Sequence, residues 1–244
     1  MAKKKRVNTE QVRIQNAAKS LVANIRFASI DNQVRSLVVT SSVPNEGKTT
    51  IAIALAQAIA SLGERVLLVE CDMRRRSLAN VLGAHSRGGL YAVVCGQMDL
   101  EEAVATTSTR GLHFLDVEPH IPNPEAVLNS KRFAAFCESA AASYRYVIFD
   151  TPPLTAFVDA AVVVVLKLLS LGRLGSEEGS SRVDQIRTFL IHLLVDQEIL
   201  LLRPYGGGHL VGLGVSEQPQ DAQGLGVDGL HGAQQGSLFV QCLA

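Results

Sequence analysis

A chain of 244 residues with 47% hydrophobic content is long enough to bury a substantial core, so a compact α/β domain is the first expectation. Its 23 basic and 23 acidic residues cancel, which leaves no electrostatic footprint for a nucleic-acid partner. The four cysteines, Cys71, Cys95, Cys137 and Cys242, lie far apart with neither paired nor metal-type spacing, which suits a reducing cytosol.

The N-terminus, "MAKKKRVNTEQ", has a basic run at Lys3 to Arg6 with no apolar stretch behind it, so it is not a secretory signal. It reads as a solvated tail, or as a weak attraction to an anionic membrane face worth about 1 kcal/mol per charge. From Asn8 to about Ile30 the apolar residues Ala18, Leu21, Val22 and Ile25 recur at helical spacing, with Asn8 or Thr9 available as a cap. Residues 1–30 are therefore a basic tail and an amphipathic helix. "SLVVTS" (36–41), "RVLLVEC" (65–71), "LHFLDV" (112–117) and "YVIFD" (146–150) are short, nearly continuous apolar runs separated by helical stretches. That alternation predicts a mostly parallel sheet covered on both faces, with the core of the domain over residues 31–163. Gly63 falls where a helix C-cap glycine belongs.

Between the first strand and the first sheet-packing helix stands "SVPNEGKT", a small-x-x-x-x-Gly-Lys-Thr pattern. Its serine replaces the first glycine of the general P-loop. In a strand–loop–helix context, backbone N–H groups of Ser42, Val43, Pro44's neighbours Asn45 and Glu46, and Gly47 through Thr50 can converge on phosphate oxygens at a helix N-terminus. Lys48 adds a full positive charge for the outer phosphates, and the Thr49 hydroxyl is placed to ligate Mg²⁺. Asn45 stands where many such loops have glycine, and asparagine tolerates a left-handed backbone best among the other residues. The loop is read as holding ATP, with Ser42 to Thr50 as its binding segment.

Three acids follow predicted strands. Glu70 and Asp72 lie at the end of "VLLVECD", and Asp150 closes "YVIF" before "TPP". Alternate strand residues share a face, and the carboxyl edge of an open α/β sheet is where ligands bind. Thr49, Asp72 and Asp150 are thus the expected oxygen environment of the metal. The six histidines are scattered, with no cysteine or carboxylate partner at metal spacing.

"SSVPNEGKTT", "VLLVECDMRRRSL" and "YRYVIFDTPP" together resemble the three nucleotide motifs of the bacterial tyrosine kinases of capsular and exopolysaccharide synthesis, P-loop ATPase-like in fold. "GGLYAVVCGQMDLEEAV" and "IPNPEAVLNSKRF" are similar to that family's linkers, and the likeness covers about residues 17–163. The resemblance implies an ATP-dependent protein tyrosine kinase and autokinase with Lys48 and Thr49 on phosphate and Mg²⁺, and Asp72 and Asp150 at the metal. It implies that Glu70, where the family usually has aspartate, takes the proton of the incoming tyrosine. A tyrosine hydroxyl with a pKa of about 10 needs such a carboxylate. Arg74, Arg75 and Arg76 are read as solvated or phosphate-neighbouring. The implied partners are tyrosine-containing proteins and a membrane-bound activator, a polysaccharide co-polymerase on a separate chain. The implied place is the cytoplasm, with recruitment to the inner membrane face.

Two departures stand out. The family's self-association pattern, Glu-x-x-Arg-x-x-Arg, is represented by Asn16, Lys19 and Val22, which weakens the case for a homo-oligomer by that route. Beyond Asp150 the family's further strand, helix and strand and its tyrosine cluster are not evident. Residues 166–244 hold 13 of the 20 glycines, and after Val163 the one tyrosine is Tyr205. One amphipathic helix is expected over Arg182 to Leu202, and otherwise residues 164–244 read as a poorly ordered tail. The longest apolar run, Ala160 to Leu166, ends at Lys167 and is too short for a membrane span. A frame shift near 162–166 accounts for the change, and it would leave a sheet edge open and the sheet incomplete at its C-terminal end. Two other readings are a partitioning or septum-site switch ATPase, which would carry lysine where Val43 stands, and an inactive nucleotide-binding remnant. The frame shift predicts that another frame of the coding DNA beyond codon 155 supplies an apolar strand, a helix, a second strand and a tyrosine-rich end. Three frames without them would mark the tail as native.

Overall fold

The computed structural model describes residues 9–28, 34–41 and 44–153, and the backbone of 210–213 and 238–243. The expected helix over Arg182 to Leu202 and the expected point of frame shift lie outside the described residues. A helix α1 (Thr9–Ala28) leads in, followed by β1 (Ser36–Ser41), α2 (Lys48–Ala60) and β2 (Val66–Glu70). Then come three short helices, α3 (Leu78–Leu82), α4 (Leu90–Val94) and α5 (Leu100–Ala103), and the strands β3 (Ala105–Thr106) and β4 (Leu112–Leu115). The helices α6 (Pro124–Leu128) and α7 (Lys131–Ser143) precede β5 (Tyr146–Asp150), and β6 (Leu210–Leu213) and β7 (Leu238–Leu243) complete the sheet.

The sheet order is β3-β4-β2-β5-β1-β7-β6, with β4, β2, β5 and β1 mutually parallel. Strand alternation sorts the apolar runs between two cores. Leu37, Val39, Leu68, Phe114 and Ile148 face α1, α2 and α3 on one side. Val38, Leu67, Val69, Val147 and Phe149 face α4 and α7 on the other. Double coverage explains why these strands read as unbroken apolar runs. Ala18, Leu21, Val22 and Ile25 are all buried, and Gln15 Nε2 donates to Gln57 Oε1 at 2.8 Å across α1 and α2. Because Val22 turns inward, it is not placed for contact with a second copy.

Two expectations are corrected. The strand predicted over 112–117 stops at Leu115, because the Asp116 carboxylate takes the N–H of Val117 at 2.8 Å and the Asp116 carbonyl takes that of Leu90 at 2.8 Å. Those bonds remove the backbone groups that a ladder needs. The open edge expected beside β1 is covered: β7 pairs antiparallel with it from Ser36↔Leu243 to Ser41↔Leu238, and β6 pairs with β7. An unpaired strand edge presents a row of donors and acceptors that any extended segment can satisfy. The run "SLFVQCL" near the end of the chain supplies one.

Phe149 is fully buried and packs its ring 6.4 Å from that of Phe133, whereas Val81 is 65% exposed. Phe149→Ala is expected to lower stability by about 3–5 kcal/mol, and Val81→Ser to stay within about 0.5 kcal/mol, both read by urea denaturation. Equal effects would contradict this assignment of core and surface.

Candidate functional site

Chain order and sheet order differ where the site forms. From β1 the chain crosses to β2 and then β4, and it returns with β5 between β2 and β1. The carboxyl ends of β1, β5 and β2 are thereby adjacent, with Val39 and Glu70 both in register with Asp150. The segment after β5 is fastened to β1: Thr151 N–H and Oγ1 each donate to the Val39 carbonyl at 3.0 Å, and Thr40 Oγ1 donates to the Pro152 carbonyl at 2.9 Å.

The loop after β1 turns through two left-handed residues, Asn45 at φ 69° and Gly47 at φ 83°. Asparagine and glycine are the residues that adopt this conformation at least cost. Gly47 then starts α2, its carbonyl accepting the Ile51 N–H at 3.0 Å. Lys48 and Thr49 open the helix half-buried, while Pro44, Asn45 and Thr50 are exposed. Ser42 and Val43 lie outside the described residues.

Thr49 Oγ1 donates to Asp150 Oδ2 at 2.7 Å and lies 3.4 Å from Ser77 Oγ. Lys48 Nζ donates to Asp72 Oδ2 at 3.4 Å. The other Asp72 oxygen accepts the N–H groups of Arg74 and Arg75 at 3.3 and 2.9 Å. Asp150 is fully buried, and its Oδ1 has no hydrogen-bond partner among the described residues. A buried carboxylate oxygen without a donor is costly unless a cation completes it. Hard oxygen donors from Thr49 and Asp150, with Asp72 beside Lys48, fit Mg²⁺. Among the described residues no three His, Cys, Asp or Glu side chains close around a metal position. Phosphate and water would supply the remaining ligands, as is usual for this ion.

Glu70 is placed differently from its expected role. It is fully buried. Its Oε1 accepts the Asp72 N–H at 3.1 Å, and its Oε2 accepts those of Ser77 and Leu78 at 3.0 and 3.1 Å. A carboxylate without exposed surface and with both oxygens on backbone donors is not presented to an incoming hydroxyl. Arg74, Arg75 and Arg76 are exposed, as the solvated reading expects, and two of them also meet carboxylates. Arg76 forms a two-point pair with Asp116, Nε to Oδ1 at 3.3 Å and Nη2 to Oδ2 at 2.5 Å, and Arg74 Nη2 lies 3.8 Å from Glu125 Oε1. Sequence reasoning missed Asp116 and Ser77. Asp116 had a signal, since it follows the apolar run "LHFL" just as Asp150 follows "YVIF".

A strand, a left-handed loop, a helix opening on Lys-Thr, and strand-end acids on a mostly parallel sheet define a P-loop NTPase-like domain. Comparison with known proteins narrows the class. An AAA domain model matches residues 45–165. Tyrosine-protein kinase YwqD of Bacillus subtilis is 36% identical over 163 residues, 67% of this chain and 66% of that protein. Tyrosine-protein kinase wzc of Salmonella typhimurium is 33% identical over 147 residues, 60% of this chain and 20% of that protein. Among solved structures, the chimerical protein CapA2B2 superposes with a TM-score of 0.61 at 26% identity, covering 72% of this chain and 79% of that one. The kinase domain of Escherichia coli tyrosine kinase ETK gives 0.58 at 30% identity, covering 61% and 58%. The chain belongs to the bacterial tyrosine-kinase family. It spans about two thirds of the Bacillus relative's length and a fifth of the Salmonella one's. Among the described residues no helix is long and apolar enough to cross a membrane.

Burial, reinforced by the neighbouring Asp72 charge, raises Asp150 to about 6 against the opposing Lys48 and Thr49. Burial, and then the Asp150 charge, raises Glu70 to about 8 against three backbone N–H donors. Both groups hold protons more tightly folded than unfolded, so their stabilisation is complete below about pH 4 and is lost as pH rises through 6 and 8. The ligand-free wild type is expected to lose melting temperature over that window more steeply than Asp150→Asn. Mg²⁺ must displace the Asp150 proton, so its affinity should rise as pH passes 6. A pH-independent Mg²⁺ affinity would count against Asp150 as a ligand.

Proposed function

We propose that this chain transfers the terminal phosphoryl group of ATP to tyrosine hydroxyls, its own included, and that it acts in capsular or exopolysaccharide synthesis. The observation that carries the reading is the Thr49–Asp150 pair with its uncovered carboxylate oxygen, beside Lys48 and Asp72. The backbone of Asn45 to Thr50, with Ser42 and Val43 before it, cradles the phosphates at the start of α2. Lys48 swings from Asp72 to the outer phosphates, where its charge offsets what develops in the transition state. Thr49 and Asp150 would hold Mg²⁺, whose charge would offset that of the terminal phosphates, while Asp72 stays clear of the metal.

With Lys48 drawn to phosphate, Asp72 Oδ2 is released beside the reacting centre. The tyrosine oxygen attacks the γ-phosphorus, the bond to the bridging oxygen of ADP breaks, and the hydroxyl proton passes to Asp72. Its partners in this reading are tyrosine-bearing proteins and a membrane-bound activator, which would bring the kinase to the inner membrane face.

Lys48→Ala is expected to reduce phosphotyrosine formation from radiolabelled ATP to background, at least 100-fold, while the variant still melts cooperatively. Thr49→Ala and Asp150→Asn are expected to weaken the Mg²⁺ dependence of nucleotide binding by about tenfold, read by titration calorimetry. Phosphotyrosine at the wild-type level in Lys48→Ala would refute the site.

A further inference from the structure

We infer that Glu70 is a positioning residue: its buried carboxylate staples both ends of the β2–α3 connection and so sets Asp72 and Ser77 against Lys48 and Thr49. The inference rests on the functional reading above and replaces a proton-transfer role for Glu70 with a geometric one.

The connection runs from Cys71 to Ser77 between β2 and α3 and carries two side chains that touch the start of α2. Asp72 meets Lys48 at 3.4 Å, and Ser77 Oγ lies 3.4 Å from Thr49 Oγ1. A loop has no ladder to hold its backbone, so its N–H groups need another acceptor. Glu70 provides it at both ends. Oε1 takes the N–H of Asp72 at the beginning, and Oε2 takes those of Ser77 and Leu78 at the end. The middle is closed by Asp72 itself, through the N–H groups of Arg74 and Arg75. Hydrogen bonds in a buried, low-dielectric setting are stronger than exposed ones, and the site they hold tolerates little displacement. The length of glutamate matters here, because Oε2 must pass beyond the position of Asp72 to reach α3.

Two variants of the full chain separate the two halves of the staple. Glu70→Gln keeps one acceptor oxygen, which serves the Ser77 and Leu78 donors, while its amide group faces the Asp72 N–H and cannot accept it. Glu70→Asp keeps the carboxyl group but is a methylene short of α3. Hydrogen exchange of the ligand-free chain is expected to accelerate at least tenfold at Asp72 in Glu70→Gln, and at Ser77 and Leu78 in Glu70→Asp. In both variants the KM for MgATP is expected to rise about tenfold. Exchange unchanged at these amides in both variants would overturn the anchoring. A loss confined to kcat, with KM unchanged and Glu70→Asp fully active, would make Glu70 the proton acceptor and overturn the inference. A lower melting temperature with both kinetic constants unchanged would leave only a structural role and overturn it as well. A wild-type chain that binds no MgATP would instead overturn the kinase reading, an outcome distinct from the exchange result on the ligand-free chain.

Discussion

The parallel pairing of β1 with β5 is the constraint on which the nucleotide end of the molecule depends. In that register Val39 lies opposite Asp150, so the loop leaving β1 and the acid closing β5 emerge together. The Thr49 hydroxyl then finds Asp150 at 2.7 Å, although the two residues are 101 positions apart in the chain. Glu70 arrives from the other side of β5 by the same logic, opposite Asp150 in the β2 register. A one-residue slip in either pairing would turn these side chains to the other face of the sheet. The two apolar cores oppose such a slip, because it would move Val147 and Phe149 out of the core they fill and into the one that holds Ile148.

Bringing three acids to one sheet edge has an electrostatic consequence. Burial raises Asp150 and Glu70 above the ordinary carboxylate range; the Asp150 charge adds to the rise at Glu70, and the Asp72 charge to that at Asp150. Each is answered differently. Glu70 is satisfied internally by backbone donors, whereas Asp150 keeps one oxygen without a partner among the described residues. The two acids thus differ in the donors that reach them rather than in residue type. Asp72 lies between these extremes, with one oxygen on backbone N–H groups and the other on Lys48.

Away from this edge the molecule departs from its family in ways that follow from the same packing rules. Lys19 is exposed on α1, whereas Val22 is buried against α2, so the helix keeps its packing role without the charged pattern. At the far side of β1 an antiparallel strand closes the edge. Backbone pairing requires little of sequence beyond an extended segment that can present N–H and C=O groups. This is why β7 forms in a region that has no periodic signal around it.

Much of the fold was legible because it depends on local period and local backbone chemistry. The apolar runs over 36–41 and 146–150 are the observed strands, the stripe Ala18, Leu21, Val22 and Ile25 is the buried face of α1, and Asn45 adopts the left-handed conformation its residue type favours. The motif residues Lys48, Thr49, Asp72 and Asp150 do converge. What each acid does there was not legible, because that depends on donors brought from elsewhere in the fold. Glu70 stands in sequence where the resemblance implies a proton acceptor and in space accepts three backbone N–H groups, and the Arg76–Asp116 pair joins residues 40 positions apart. The sequence by itself determined which segments form strands and helices and which residues stand at their ends, because side-chain alternation and backbone preference act over a few residues. Only the tertiary structure decided which carboxylate meets backbone donors and which meets the Thr49 hydroxyl, because strand order places those groups together across the chain.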